Sequence, residues 1–165
     1  MISKLIFSIG FILLLLILLF AFRGNILSLF YTGDLEVKLS IFDNYTKYLW
    51  IQNDGTFSYD VFNKSIVSFD PAIPNSGGQQ IESTRGKLDP KELKELKREI
   101  LANMFFSLNN RYESNDNVEY ILKIKIGEKY KEVYCYSDNC PRRFMNIQKE
   151  VIKIASNKIE YYKFA

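Results

Sequence analysis

The feature that most constrains this chain is an uncharged run of eighteen residues, LIFSIGFILLLLILLFAF, which begins at Leu5 and ends at Phe22. As an α-helix such a run is about 27 Å long, close to the ~30 Å hydrocarbon core of a bilayer. Inside a bilayer a helix satisfies its own backbone hydrogen bonds. A buried core helix would instead show a polar face, and this run has none. The sequence therefore predicts one transmembrane helix over residues 5–22, with an interfacial tail over residues 26–31.

The run has two interpretations, a retained signal-anchor and a cleaved signal peptide. It is longer than the apolar region of a signal peptide, which is about 7–15 residues. Cleavage after Ala21 or Gly24 would put Leu19 or Phe22 where a small residue is required. We therefore favour the retained anchor.

The charges that flank the run indicate its orientation. Lys4 and the α-amino group precede it, whereas Arg23 and then Lys38 follow it. This small excess favours an amino terminus inside and a domain outside the cytoplasm. The predicted localisation is a single-pass membrane protein, and membrane lipid is accordingly a predicted partner.

Residues 34–165 have the length of a single domain. The 22 basic and 19 acidic residues of the chain nearly balance, and no concentrated basic surface is indicated. Nucleic acid is therefore not a predicted partner. The chain has no histidine, which excludes Ser-His-Asp and Cys-His catalysis and histidine-based metal sites. We predict no cofactor and no metal.

Alternation of apolar and polar residues predicts an antiparallel sheet of about five or six strands. The pattern places strands near residues 35–41, 45–52, 57–61, 80–85, 118–126 and 129–136. Residues 70–80 break this periodicity with two prolines and a Gly-Gly pair, so they predict a loop insertion.

Two glycine-containing dipeptides predict hairpins. If Asp54-Gly55 is a two-residue loop, Trp50 faces Tyr59 and one sheet face collects Tyr48, Trp50, Phe57, Tyr59 and Val61. That aromatic face is interpreted as core, with an exposed binding platform as the alternative. Gly127-Glu128 predicts a second hairpin, in which Leu122 pairs with Val133 and Tyr120 with Cys135.

Two amphipathic helices complete the predicted α+β fold. Asp89 and Glu92 form a capping-box pattern around Pro90, which suits a first helical position. The apolar face of that helix is predicted to contain Leu93, Leu96, Ile100, Leu101 and Met104. A second helix is predicted after Pro141, with an apolar stripe of Phe144, Ile147, Val151 and Ile154.

Cys135 and Cys140 are the only cysteines. In an oxidising compartment they could form a disulfide. The alternatives are two inert thiols, or a Cys140 made reactive by its place at a helix start.

Four motifs follow one another along the chain: the Asp54-Gly55 hairpin, Gly86-Lys87-Leu88 before the first helix, Phe105-Phe106-Ser107-Leu108 after it, and Pro141 before the last helix. This order resembles that of small prokaryotic domains of unknown function and of emfourin-type protein inhibitors of thermolysin-type metalloproteases. The resemblance implies an α+β domain that binds a protein. The anchor, the residue 70–80 loop and the cysteine pair depart from the pattern, so no inhibitory residues are carried over.

Three functions follow as hypotheses. The first is a non-catalytic extracytoplasmic domain that binds an unknown protein partner or inhibits a protease. The second is an assembly subunit of a membrane complex that acts through its anchor. The third is a hydrolase that uses carboxylates, for which Asp60, Asp70, Asp116 and Asp138 show no paired spacing. We predict no catalytic residues.

Overall fold

The computed structural model describes residues 31–63 and 79–164, with side chains to residue 157, and five residues of the amino-terminal run. Those five are helical, and their side chains are 45–56% exposed; they are Ile12, Leu14, Leu15, Ile17 and Leu18. In the described part of the chain, no helix is long and apolar enough to cross a bilayer. The rest of the predicted span over residues 5–22 lies outside the described residues, as do residues 26–30 of its tail and residues 70–78 of the predicted loop.

Seven strands and two helices follow one another in the described residues 31–63 and 79–164. The strands are β1 (Leu35–Phe42), β2 (Tyr45–Ile51), β3 (Thr56–Asn63), β4 (Gln80–Lys87), β5 (Arg111–Tyr112), β6 (Glu119–Ile126) and β7 (Lys129–Tyr136). The helices are α1 (Pro90–Ala102) and α2 (Arg142–Phe164), and a 3-10 turn covers Phe105–Ser107. The α+β class is confirmed.

The predicted count of five or six strands is wrong, because the sheet has seven. The additional strand, β5, is two residues long and pairs in parallel with β7. Two residues are too few to show any alternation, so the sequence pattern could not reveal this strand.

The sheet has the strand order β4-β3-β2-β1-β6-β7-β5. Strands β1 to β4 form an antiparallel meander, and the β6–β7 hairpin pairs with the free side of β1. The long strands are therefore all antiparallel, and β1 lies at the centre of the sheet.

Both helices pack on one face of the sheet. Alternate residues of β1, Leu35, Val37 and Leu39, belong to the same buried cluster as the helix residues Leu96, Ile100, Leu101, Phe144, Ile147 and Val151. The intervening residues point to the opposite face, which we call the open face, because none of the described helices packs on it. The open face is partly exposed around Glu36, Lys38 and Trp50, and this part is available for binding. Other residues of the same face are buried, namely Ser40, Thr46, Phe62 and Ile121.

The predicted register of the β2–β3 hairpin is wrong by one residue. Trp50 pairs with Ser58 rather than Tyr59, and Ile51 pairs with Phe57. The loop contains three residues, since the Gln52 amide donates to the Thr56 carbonyl over 2.8 Å. A shift of one residue exchanges the two faces of a strand. Leu49 and Ile51 are therefore in the core, and Tyr48 and Trp50 lie on the open face.

The β6–β7 hairpin has the predicted register. Leu122 pairs with Val133 and Tyr120 with Cys135. Gly127 occupies the first loop position with φ 58°, which is the position where a two-residue II′ loop needs glycine.

The helix predictions are confirmed at their starts and corrected at one end. Asp89 accepts a hydrogen bond from the Glu92 amide, and Glu92 accepts one from the Asp89 amide, both over 2.8 Å. Helix α1 ends at Ala102, however, and Met104 adopts φ 53° and is 37% exposed. Met104 therefore does not extend the apolar face of α1, because the chain leaves the helix before reaching it.

Candidate functional site on the open face

Two adjacent grooves lie on the open face, near the start of β1 and the ends of β2 and β6. Their volumes are about 210 and 380 Å³, and both are lined by Glu36 and Lys125. The first is also lined by Lys38, Lys123 and Tyr130, and the second by Gly33, Asp34, Trp50, Gln52, Asn53 and Gly127. Because the grooves share residues, they form one strip across the four strands β2, β1, β6 and β7.

Trp50 is held in this strip by two neighbours from β1. Its indole Nε1 donates to Glu36 Oε1 over 2.9 Å. Lys38 Nζ lies 3.1 Å from the same Glu36 oxygen and 4.5 Å from the centre of the Trp50 ring. The cation–π contact contributes about 0.5–1 kcal/mol where it is solvent-exposed. The three side chains together fix the orientation of the indole.

A second polar cluster lies on β6 and β7, where Lys123 and Glu132 are directly paired. Their charged atoms are 2.7 Å apart, and the two side chains are 19% and 21% exposed. Tyr134 donates its hydroxyl hydrogen bond to Glu132 Oε1 over 2.5 Å, and Tyr130 donates to Oε2 over 3.1 Å. Glu132 is thus the acceptor that organises two tyrosines and a lysine.

These contacts change the pKa values of the cluster. Burial raises the pKa of Glu132, but hydrogen bonds from Lys123 and Tyr134 together lower it by more, so the net pKa lies below its ordinary value. The hydrogen bond to Glu132, with burial, raises the pKa of Tyr134 to about 12. Burial and then the bond to Glu132 also raise the pKa of Tyr130. At neutral pH these values keep the carboxylate charged and both tyrosines protonated, which preserves the hydrogen bonds.

Strand β5 adds a cation beside this cluster. Arg111 pairs in register with Tyr134 of β7, and its guanidinium carbon lies 5.9 Å from the centre of the Tyr134 ring. The unpredicted strand therefore places a charged side chain next to the candidate site.

The carboxylates considered for hydrolysis have separate structural partners. Asp60 accepts hydrogen bonds from Gln80, Ser83 and Arg85 on the β3–β4 part of the open face. Asp116 accepts from Ser137, and Asp138 accepts from Ser114 over 2.5 Å. Asp70 lies outside the described residues. Among the residues that the structure describes, no three His, Cys, Asp or Glu side chains are grouped to hold a metal ion.

Cys135 and Cys140 are joined by a disulfide, with their Cα atoms 5.2 Å apart. Cys135 is fully buried at the end of β7, and Cys140 precedes α2. The turn between them is also held by the Ser137 amide, which donates to the Val118 carbonyl over 3.0 Å. The disulfide lies away from the grooves, and its place in the fold is to connect the sheet to α2.

The sequence pattern does not predict the strip, because it assigns Trp50 to the core. The available signal was the set of polar residues that alternate with core residues on β1 and β6, namely Glu36, Lys38, Lys123 and Lys125. The pairing of these two strands brings the four side chains together. No protein-family model matches the chain, and no curated protein matches it.

Proposed function

We propose that this chain is a single-pass membrane protein whose extracytoplasmic domain binds a protein partner through the open face, without catalysis. The uncharged run over residues 5–22 supports the anchor. Its described residues are helical and about half exposed, which fits a helix that presents apolar side chains outward. The sidedness follows the flanking charges given above.

The observation that carries the binding role is the orientation of Trp50 by Glu36 and Lys38 beside the two grooves. Tryptophan, tyrosine and arginine contribute most of the binding energy in many protein interfaces. An aromatic ring that is already fixed loses little conformational entropy when a partner binds. The strip combines such a ring with Tyr130, and Tyr134 and Arg111 lie beside it.

The charges of the strip indicate the chemistry of the partner. Lys38 is paired with Glu36, and Lys123 with Glu132, whereas Lys125 is exposed at the junction of the grooves. A partner segment that offers a carboxylate to Lys125 and an apolar side chain to Trp50 would complement this surface. The resemblance to emfourin-type inhibitors points to a protease as one class of partner.

The test compares two aromatic truncations on β2 in the full-length protein. Trp50→Ala removes the oriented ring, and Tyr45→Ala removes a 46% exposed ring at the other end of the same strand. Each protein is extracted from native membranes in mild detergent, and copurifying proteins are quantified by mass spectrometry. We expect Trp50→Ala to reduce the recovery of a specific partner at least tenfold, on the scale of an interface hot spot, and Tyr45→Ala to leave it unchanged.

Two other outcomes separate the alternatives. If the partner is retained by Trp50→Ala but lost when residues 5–22 are replaced by an unrelated apolar span, the chain associates through its anchor and the proposal is wrong. If the protein is found in the soluble fraction without residues 5–22, the membrane part of the proposal is wrong.

A further inference from the structure

The tip of the β6–β7 hairpin, residues 125–131, carries three lysines and an exposed aromatic ring. Lys125 and Lys129 are exposed, Lys131 is half-buried, and Tyr130 is 58% exposed. Glu128 is the only acidic residue in this segment. Lysine and tyrosine have apolar stems and polar ends, and they are the residue types that favour a membrane–water interface.

The hairpin tip is fixed to the segment through which the chain enters the domain. The Gly127 amide donates to the Asp34 carbonyl over 3.0 Å. Gly127 and Gly33 both have positive φ, 58° and 102°. A Cβ at Gly127 would lie 2.5 Å from the Thr32 carbonyl oxygen, and one at Gly33 would lie 2.6 Å from Gly127 Cα. The tip and residues 32–34 are therefore in direct backbone contact.

The length of the connecting chain limits how far this unit can be from the bilayer. The domain begins at Tyr31, whose ring stacks on Phe106 at 5.2 Å. Residues 23–31 connect the predicted span to that point, and nine residues reach roughly 30 Å at full extension. The hairpin tip is thus held near the headgroups of the membrane that contains the anchor.

The acidic residues around the tip are occupied by other partners. Glu36 is paired with Lys38 and Trp50, and Glu132 with Lys123. Asp34 Oδ2 accepts from the Asn53 side chain over 3.4 Å. Two of the tip lysines, Lys125 and Lys129, are exposed and Lys131 is half-buried; Glu128 is the only acidic residue within the segment, so the tip is net positive.

We propose that the β6–β7 tip lies on the headgroups of anionic lipids, with its lysines on lipid phosphates and Tyr130 at the interface. This inference rests on the proposed anchor. Docking of the tip orients the domain so that the open-face grooves, which share Lys125 with the tip, open next to the bilayer. The protein partner would then be contacted close to the membrane surface.

The test uses the full chain in lipid nanodiscs, with nitroxide-labelled headgroups and amide signals recorded by NMR. In nanodiscs that contain phosphatidylglycerol we expect selective broadening of signals from residues 125–131, and less broadening in phosphatidylcholine alone. The variant K125Q/K129Q/K131Q should lose the difference between the two lipids. Each lysine near an anionic surface contributes about fivefold, so the ratio of docked to undocked domain should fall on the order of a hundredfold.

A matched control removes three charges at the opposite end of the domain. Arg142, Arg143 and Lys149 are exposed on α2, and R142Q/R143Q/K149Q should keep the lipid-dependent broadening. Tip signals that do not respond to lipid charge, in a chain that remains in the nanodisc, would overturn the docking proposal alone. A chain that does not stay in the nanodisc would overturn the anchor, and the docking proposal with it.

Discussion

The β2–β3 and β6–β7 hairpins join strands of similar length, but their loops differ by one residue and contact different parts of the chain. The first loop has three residues, and its Gly55 amide donates to the Gln52 carbonyl over 3.0 Å. The second has two residues and begins at Gly127. Gly55 packs on Leu88, which precedes α1, and Gly127 packs on Thr32, where the chain enters the domain.

This difference shows that loop length decides which side chains become core and which become surface. In β2 the three-residue loop turns Ile51 inward and leaves Trp50 on the open face. In β6 the two-residue loop turns Leu122, Ile124 and Ile126 inward and leaves Lys123 and Lys125 outside. The candidate site exists because both loops send polar or aromatic side chains to the same face.

The largest expected effect concerns the register of the first hairpin. Ile51 is fully buried, so Ile51→Ala should lower the free energy of unfolding by about 2–5 kcal/mol. Trp50→Ala removes a half-buried ring, one hydrogen bond and a cation–π contact, and should cost about 1–2 kcal/mol. Urea unfolding of both variants measures the difference. A larger loss for Trp50→Ala would support the two-residue loop instead.

The next effect concerns the two loop glycines. Alanine at either position would have positive φ and a Cβ within 2.6 Å of a carbonyl oxygen, of Leu88 for Gly55 and of Thr32 for Gly127. Each substitution should cost about 2–3 kcal/mol from backbone strain and the close contact. Glu128→Ala is the control, because its side chain is exposed, and it should change stability by less than ~0.5 kcal/mol. Equal stabilities of all three variants in urea would show that the loops are not packed as described.

A smaller loss of stability is expected at the end of the second hairpin that lies away from its loop. There β7 continues into a disulfide, and the first hairpin has no disulfide. Reduction of Cys135–Cys140 by a dithiol should lower the free energy of unfolding by about 2 kcal/mol on the chain-entropy model, since the closed loop is short. Denaturant unfolding with and without reductant measures it, and the mass after alkylation reports the thiol state. Full alkylation of the native protein without reductant would show that the cysteines are unpaired.

The smallest effect tests the tyrosine cluster of the second hairpin. The pKa of Tyr134 is raised from 10.0 to about 12, so the stabilisation from its hydrogen bond to Glu132 is fully present below pH 10 and is lost as the pH rises through about 12. Tyr134→Phe should cost about 1 kcal/mol at neutral pH, and the cost should vanish above pH 12. The tyrosinate absorbance of wild type minus variant gives the midpoint. A midpoint near 10 would mean that Tyr134 and Glu132 are not bonded.

Local signals in the sequence predicted much of this fold. The Asp89–Glu92 capping box and the Pro90 helix start depend on neighbouring residues alone, and both are confirmed. Over residues 122–126 of β6, aliphatic residues lie on one face and lysines on the other, and with Gly127-Glu128 this pattern predicts the observed register, although it also puts Lys129 and Lys131 on the apolar face. In β2, by contrast, Leu49 and Ile51 alternate with Tyr48 and Trp50, and both sets are apolar. The register of β2 therefore depends on the turn dipeptide Asp54-Gly55. An Asp-Gly dipeptide occurs in both two- and three-residue loops, so it does not decide between the two registers.

The candidate site could not be predicted from patterns within single segments, because its residues meet only through strand pairing. Glu36 and Trp50 meet because β1 pairs with β2, and Lys38 meets Lys123 because β1 also pairs with β6. The first contact joins residues that are 14 positions apart in the chain, and the second joins residues that are 85 positions apart. No periodicity within one segment contains that information.

The most direct test of the central claim is photocrosslinking in native membranes. A photoreactive amino acid replaces Ser58, which pairs with Trp50 on the open face, or Lys94, which is exposed on α1. The account predicts that position 58 gives a discrete crosslink to one partner protein and that position 94 does not. Crosslinks from position 94 alone, or none from position 58 in a membrane-inserted chain, would contradict the assignment of the open face as the binding surface.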